Sequence, residues 1–136
     1  MKTDVLNGLT SVASSFGPKE TMDRLEVEIR AQRITVFARI DHAAGAAEVG
    51  LELAPTELII FGNARGGTPL MQAVQTVGID LPLKVLVWQD ATNKTWLSYN
   101  EPGWIAQRHN IANAERVVNS MGTALSAMAR TAADAR

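Results

Sequence analysis

A chain of 136 residues has the size of one domain and is long enough to bury a sizeable core. Hydrophobic residues make up 46% and charged residues 20%, a globular balance that excludes disorder, and a formal net charge of −1 supplies no field to recruit nucleic acid or an anionic membrane. There is no cysteine, which excludes a disulfide framework, a thiolate metal site and a cysteine nucleophile together.

The first residues, Met1 to Gly8, lack the continuous apolar core of a secretory signal, and no stretch approaches the roughly 18 apolar residues of a membrane span. A cytoplasmic location is therefore expected. With no internal repeat, low-complexity tract or linker, residues 1–136 read as a single domain.

Leu9 to Ser15 is the first strand candidate, with Thr10, Val12 and Ser14 sharing one face. Phe16-Gly17-Pro18 reads as a helix entry: proline at the first helical position loses no needed N–H, and Glu20 follows where the helix dipole favours it. Met22, Leu25 and Ile29 then mark one face of a helix running to about Gln32. From Ile34 to Ile40 the period changes to two, placing Ile34, Val36, Ala38 and Ile40 on one face and Thr35, Phe37 and Arg39 on the other. Ala43 to Val49 is alanine-rich, a short helix ended by Gly50.

Thr56 to Phe61 contains the apolar run Leu58-Ile59-Ile60-Phe61, the chemistry of a central strand. Gly62 to Gly67 breaks it, and Thr68-Pro69 reads as the start of another helix with Thr68 as N-cap. Leu81 to Gln89 and Thr95 to Tyr99 are hairpin partners across the turn residues Asp90 to Lys94; the sequon Asn93-Lys94-Thr95 falls in that turn and reads as turn chemistry. Residues 111–133 form the last helix, with Ile111, Ala114, Val118, Met121, Leu125, Met128 and Ala132 as an apolar seam. The flanks of that seam carry almost no charge, so it suits packing on the chain's own sheet better than a two-helix coiled coil. Together these elements predict an α+β fold, a mainly antiparallel sheet with helices on one side.

Ile40-Asp41-His42, Phe61-Gly62-Asn63, Thr68-Pro69-Leu70 and Leu81-Pro82-Leu83, followed by Tyr99, Pro102, Ala106 and Arg108-His109, resemble the family called domain of unknown function 302. The resemblance spans about residues 14–110 and rests on order and spacing rather than on one motif. It implies a β-α-β4-α arrangement similar to TATA-binding-protein-like folds, and a homodimer; it implies no particular activity. Two departures stand out: the family pattern has glycine near Arg33 and proline near Ala64.

Two places carry candidate chemistry. Asp41 and His42 end a strand, where a general base or an imidazole ligand would reach a cleft; the same pair also serves a strand-to-helix turn by bonding local backbone. Glu101 and Tyr99 would join them only if the fold brought them close. His109 ends a short helical segment, where a cationic imidazole suits the dipole. Neither histidine has a second ligand type at helical or hairpin spacing, so no metal site is expected, and no cofactor motif is present.

The second place is the stretch from Gly62 to Thr68, where Asn63, Arg65, Gly66, Gly67 and Thr68 join a buried strand to a helix start. Amides there can point at a phosphate or carboxylate, with Arg65 adding charge; glycines and Thr-Pro also suit any tight strand-to-helix turn. The spacing matches neither a P-loop nor a dinucleotide fingerprint. Lys84 on its strand reads as a solvated side chain, and Trp88, Trp96 and Trp104 read as core or interface rather than base-stacking platforms, since no basic surface accompanies them. The reading that follows is a dimeric module binding a small ligand or anion, without nucleic acid or membrane. Its rivals are a small acid–base enzyme using His42 and Asp41, and an assembly protein using its last helix.

Overall fold

The expected order of strand, helix, four strands and helix is present, with one strand added in front, across residues 3–135, which the computed structural model describes. Met1, Lys2 and Arg136, included in the one-domain reading and, for the first two, in the reading of the N-terminus, lie outside the described residues. The elements are β1 (Thr3–Leu6), β2 (Leu9–Ala13), α1 (Pro18–Ala31), β3 (Thr35–Asp41), α2 (His42–Glu48), β4 (Thr56–Gly62), α3 (Ala64–Ala73), a 3-10 turn (Gln75–Asp80), β5 (Leu83–Gln89), β6 (Thr95–Asn100), α4 (Pro102–Arg108) and α5 (Glu115–Ala133). The strands form one six-stranded sheet in the order β1-β2-β6-β5-β4-β3, antiparallel at every neighbour.

β1 was not foreseen, and the reason is local. Asn7 and Gly8 both adopt positive φ, 53° and 82°, the two-residue turn whose twist matches a hairpin. Gly8 also meets its neighbour closely: a Cβ there would lie 2.2 Å from the Trp104 ring.

α1 follows its sequence pattern. Pro18 occupies the first turn, and Thr21, Met22, Leu25 and Ile29 are buried. Arg33, just past the helix, takes φ 61°, a left-handed conformation that glycine adopts without strain. The family pattern has glycine near this position.

β3 does not keep the strict alternation that its sequence suggested. Val36 pairs with Phe61 but Ala38 pairs with Ile60, leaving Phe37 as the extra residue of a bulge. Ile34 and Val36 therefore pack toward the core, whereas Ala38 and Ile40 turn to the opposite face. Arg39 comes round to the helix side and joins three elements. Its guanidinium donates to both oxygens of Glu57 at 2.9 and 2.8 Å, to Glu26 at 2.8 Å and to Asp23 at 3.2 Å.

The main core lies between one sheet face and the pair α1 and α5. Val12, Ile59, Phe61, Val85, Val87 and Leu97 meet Leu25, Ile29, Leu125, Met128 and Ala129, all buried. The seam of the last helix thus faces its own domain, although the helix begins at Glu115 rather than Ile111. Its end is held by Arg24, which donates to the carbonyls of Thr131, Ala132 and Asp134, groups that a helix C-terminus leaves without partners. A smaller cluster of Leu70, Val77, Ile105 and Ala114, with Met121 and Trp104 against it, joins α3 and α4 to the start of α5.

Two element boundaries differ from expectation. β5 begins at Leu83 because Pro82 precedes it and proline has no N–H to give a ladder. The helix expected at Thr68 starts at Ala64, capped by Asn63, and Pro69 lies inside it. Among the described residues no helix is long and apolar enough to cross a membrane.

Candidate functional site

β4 ends at Gly62, and the next residue closes the strand-to-helix corner. The Asn63 side chain accepts from the Gly66 amide at 2.8 Å, and its carbonyl accepts from the amides of Gly66 and Gly67, both at 3.2 Å. This is an N-cap of the ordinary asparagine kind. It uses two of the glycine amides that the sequence offered to an anion.

Behind that corner is a cavity of about 480 Å³, within the range of small-molecule sites. One wall is the start of α3, with Asn63, Gly66, Gly67 and Thr68; the other is α5, with Ser120, Met121, Ala124 and Met128. Phe61, Phe37 and the Leu81-Pro82-Leu83 step close the remaining sides, and Met71 lies against the floor. The lining is mostly apolar, with asparagine, threonine and serine at its polar points. Methionine supplies three of the lining side chains, a residue that adapts to irregular partners.

Both glycines face this space. A Cβ on Gly66 would stand 3.5 Å from the Met121 methyl, and one on Gly67 would stand 3.6 Å from a Leu81 methyl, both ordinary contacts. Neither glycine is needed for a left-handed turn or to avoid a clash, yet each weakens the helix that carries it. Four of the five loop candidates, Asn63, Gly66, Gly67 and Thr68, line the cavity; Arg65 is exposed and lies outside its wall.

Asp41 and His42 are elsewhere. Asp41 caps α2 by accepting from the Ala44 amide at 2.9 Å, and both residues are exposed on a helix with no buried residue. They line no part of this cavity. Glu101 is at the far end of β6, where it accepts from the Thr10 hydroxyl, while Asp41 belongs to the edge strand β3, so the sheet order separates the two carboxylates by several strands. Lys84 is less solvated than its sequence suggested. It is part-buried and donates to the carbonyl of Pro82 at 3.0 Å, and burial lowers its pKa.

One polar cluster was not anticipated. His109, at the end of α4, places Nε2 2.6 Å from Asp80 and Nδ1 3.0 Å from the Thr76 hydroxyl, while Arg108 donates to both Asp80 oxygens at 3.0 Å. The order of threonine, imidazole and carboxylate matches a nucleophile, base and orienting group. However, the guanidinium already compensates Asp80, and Thr76 is exposed on the 3-10 turn, so the cluster joins α4 to that turn. The sequence signal was Asp80 ahead of Leu81-Pro82 together with Arg108-His109, groups 28 residues apart that only the fold unites. Among the described residues no group of three or more His, Asp or Glu could hold a metal ion.

Sheet, helices and corner cavity define an α+β domain with an apolar cavity at one corner. Residues 10–128 match the family described as domain of unknown function DUF302, and the chain belongs to it. A crystal structure of an uncharacterized conserved DUF302 protein from Bacillus stearothermophilus superposes with a TM-score of 0.83, covering 92% of this chain and 98% of that one at 21% identity, a likeness of fold. Proteins named fluoride-specific ion channel FluC 1 from Brucella suis and from Brucella abortus are each 42% identical over 134 residues, which is 98% of this chain. The chain spans about half the length of these relatives, 53% and 50% respectively.

Proposed function

We propose that this chain is a small-ligand-binding module and that the cavity between α3 and α5 is its site. The observation that carries the reading is the pair Gly66 and Gly67. The sequence keeps two helix-weakening residues on a cavity wall where alanine would fit, and the gain is open space. The ligand is a compact, mainly apolar molecule with a polar or anionic end directed at Asn63, Thr68 and Ser120. Native mass spectrometry of the purified protein, followed by thermal-shift titration of what is found, tests this. Gly67→Leu should fill the space and abolish the shift while far-UV circular dichroism stays unchanged. Undiminished binding by that variant would remove the reading.

A homodimer in the cytoplasm is part of the same proposal; the dimer follows from the family likeness, with its contact away from the α5 seam, which faces the chain's own core. Light scattering on the eluted protein tests the dimer, and a monomer at all concentrations would remove it.

A second reading is favoured by the length relation to the Brucella proteins. The chain matches about half the length of those proteins, and among the described residues no helix is long and apolar enough to cross a membrane. In that reading the domain is an auxiliary part working with an ion channel, and fluoride is the first anion to test. Titration with fluoride, against chloride and phosphate, should raise the melting temperature, and Arg65→Ala should reduce the rise. Equal effects of all three anions in both proteins would sink it.

A further inference from the structure

A second groove lies between the start of α4 and the outer face of α5, apart from the corner cavity. Its α5 wall is a polar stripe: Asn119, Thr123, Ser126 and Arg130 follow at steps of four, three and four, which stack on one helical face. The opposite wall comes from the end of β6, where Glu101 precedes Pro102 and Gly103 at the entry to α4. The space between them is about 730 Å³.

The floor is kept open. Gly122 sits in the interior of α5, and a Cβ there would find no atom within 4 Å. Packing therefore does not require glycine at that position, while helix propensity opposes it.

The charges of the two walls are opposite but do not meet. Glu101 accepts from the Thr10 hydroxyl through one oxygen, and among the described residues Arg130 forms no ion pair with it. The buried phenol of Tyr99 senses both charges. Burial raises its pKa, and the Glu101 carboxylate raises it further, while the Arg130 guanidinium and a hydrogen bond from the Ser126 hydroxyl act in the other direction.

An open groove with a carboxylate at one side, a guanidinium at the other and hydroxyls along the wall is complementary to a molecule carrying both charges. We propose that the α4–α5 groove binds a small zwitterion of the free amino-acid class. Its ammonium lies against Glu101, and its carboxylate lies against Arg130 with the Thr123 hydroxyl donating. A guanidinium suits that carboxylate because its donors form a planar fork. This site is independent of the corner cavity and of the reading attached to it.

The test is a thermal-shift screen of the twenty free α-amino acids, with calorimetry on any that bind. At least one should bind, and its N-acetyl and carboxamide forms should each bind tenfold or more weakly, since each removes one charge. Arg130→Ala and Glu101→Gln should each weaken binding by a similar factor. Gly122→Leu should abolish it, and Gly67→Leu, which fills the other cavity, should leave it unchanged. Glu101 also holds Thr10, so Arg130→Ala, on an exposed side chain, keeps the test decisive if Glu101→Gln fails to fold. No binder among the twenty would overturn the proposal. So would a binder indifferent to Arg130→Ala or to loss of its own ammonium.

Discussion

Replacing Gly66 and Gly67 by alanine should stabilise the fold and impair ligand binding at once. Each glycine inside a helix costs about 0.5–1 kcal/mol relative to alanine, through backbone entropy lost on folding. The new methyl groups impose no offsetting clash: the nearest atoms would be the Asn63 side-chain oxygen at 3.4 Å and the Met121 methyl at 3.5 Å for residue 66, and Leu81 at 3.6 Å and Met71 at 3.7 Å for residue 67. Neither position has positive φ, so no backbone strain is subtracted. The double variant should therefore gain about 1–2 kcal/mol, with the lower end favoured because both positions lie in the first turns of α3. For a domain of this size, that corresponds to a rise in melting temperature on the order of 3–8 °C. Urea and thermal melts followed by circular dichroism measure it. An unchanged or lowered stability would refute the helical placement of these residues. A stabilised variant that bound ligand as well as the parent would refute the argument that the glycines serve the cavity.

The left-handed Arg33 makes Arg33→Gly a stabilising change of about 0.5–1 kcal/mol, since a side chain at positive φ costs more than the extra freedom glycine brings to the unfolded chain; a urea midpoint that falls would contradict the conformation. Leu125 is 1% exposed in the main core, so Leu125→Ala should cost about 2–5 kcal/mol, and a loss well below that range in denaturant melts would mean that α5 does not pack on the sheet. Asp90 accepts from the Trp96 indole, from the Thr92 hydroxyl and amide and from the Lys94 amide, which together hold its pKa well below the usual carboxylate range. A depressed carboxylate contributes stability that is fully present above its unfolded value, about 4, and is lost as pH falls through the folded one. Asp90→Asn should accordingly lower stability at neutral pH and flatten the acid side of the profile, read by tryptophan fluorescence; superimposable profiles would refute the role.

Much of the fold was readable because periodicity and end signals agreed. Pro18 with Glu20 placed α1, the apolar run before Gly62 placed β4, and Asp90 to Lys94 placed the β5–β6 turn. The misses have particular causes. Asn7-Gly8 is a strong hairpin signal, but the short flanks on either side obscured it, so β1 went unseen. The Phe37 bulge shifted half of β3 to the other face, which strict alternation cannot foresee. At α3, Thr68-Pro69 imitated a helix start more strongly than Asn63 did, because proline inside a helix is unfavourable and the glycines were read as loop.

The site was legible to a different depth. The polar corner from Asn63 to Thr68 was visible as residue types, since glycines after a buried strand signal a turn that backbone or ligand approaches. The cavity behind it was not, because its far wall comes from Ser120, Met121, Ala124 and Met128, more than fifty residues away and indistinguishable in sequence from ordinary helix packing. That asymmetry bears on how the chain works. The side chains with obvious chemistry have local tasks: Asp41 caps α2, His109 and Arg108 hold Asp80, and Arg39 joins three elements through Glu57, Glu26 and Asp23. What remains without such a task is space, kept open by Gly66 and Gly67 at the corner and by Gly122 in the groove. The corner cavity, by contrast, is lined by apolar side chains, glycines and short polar groups with no titratable side chain among them, and the small-ligand proposal draws on that lining.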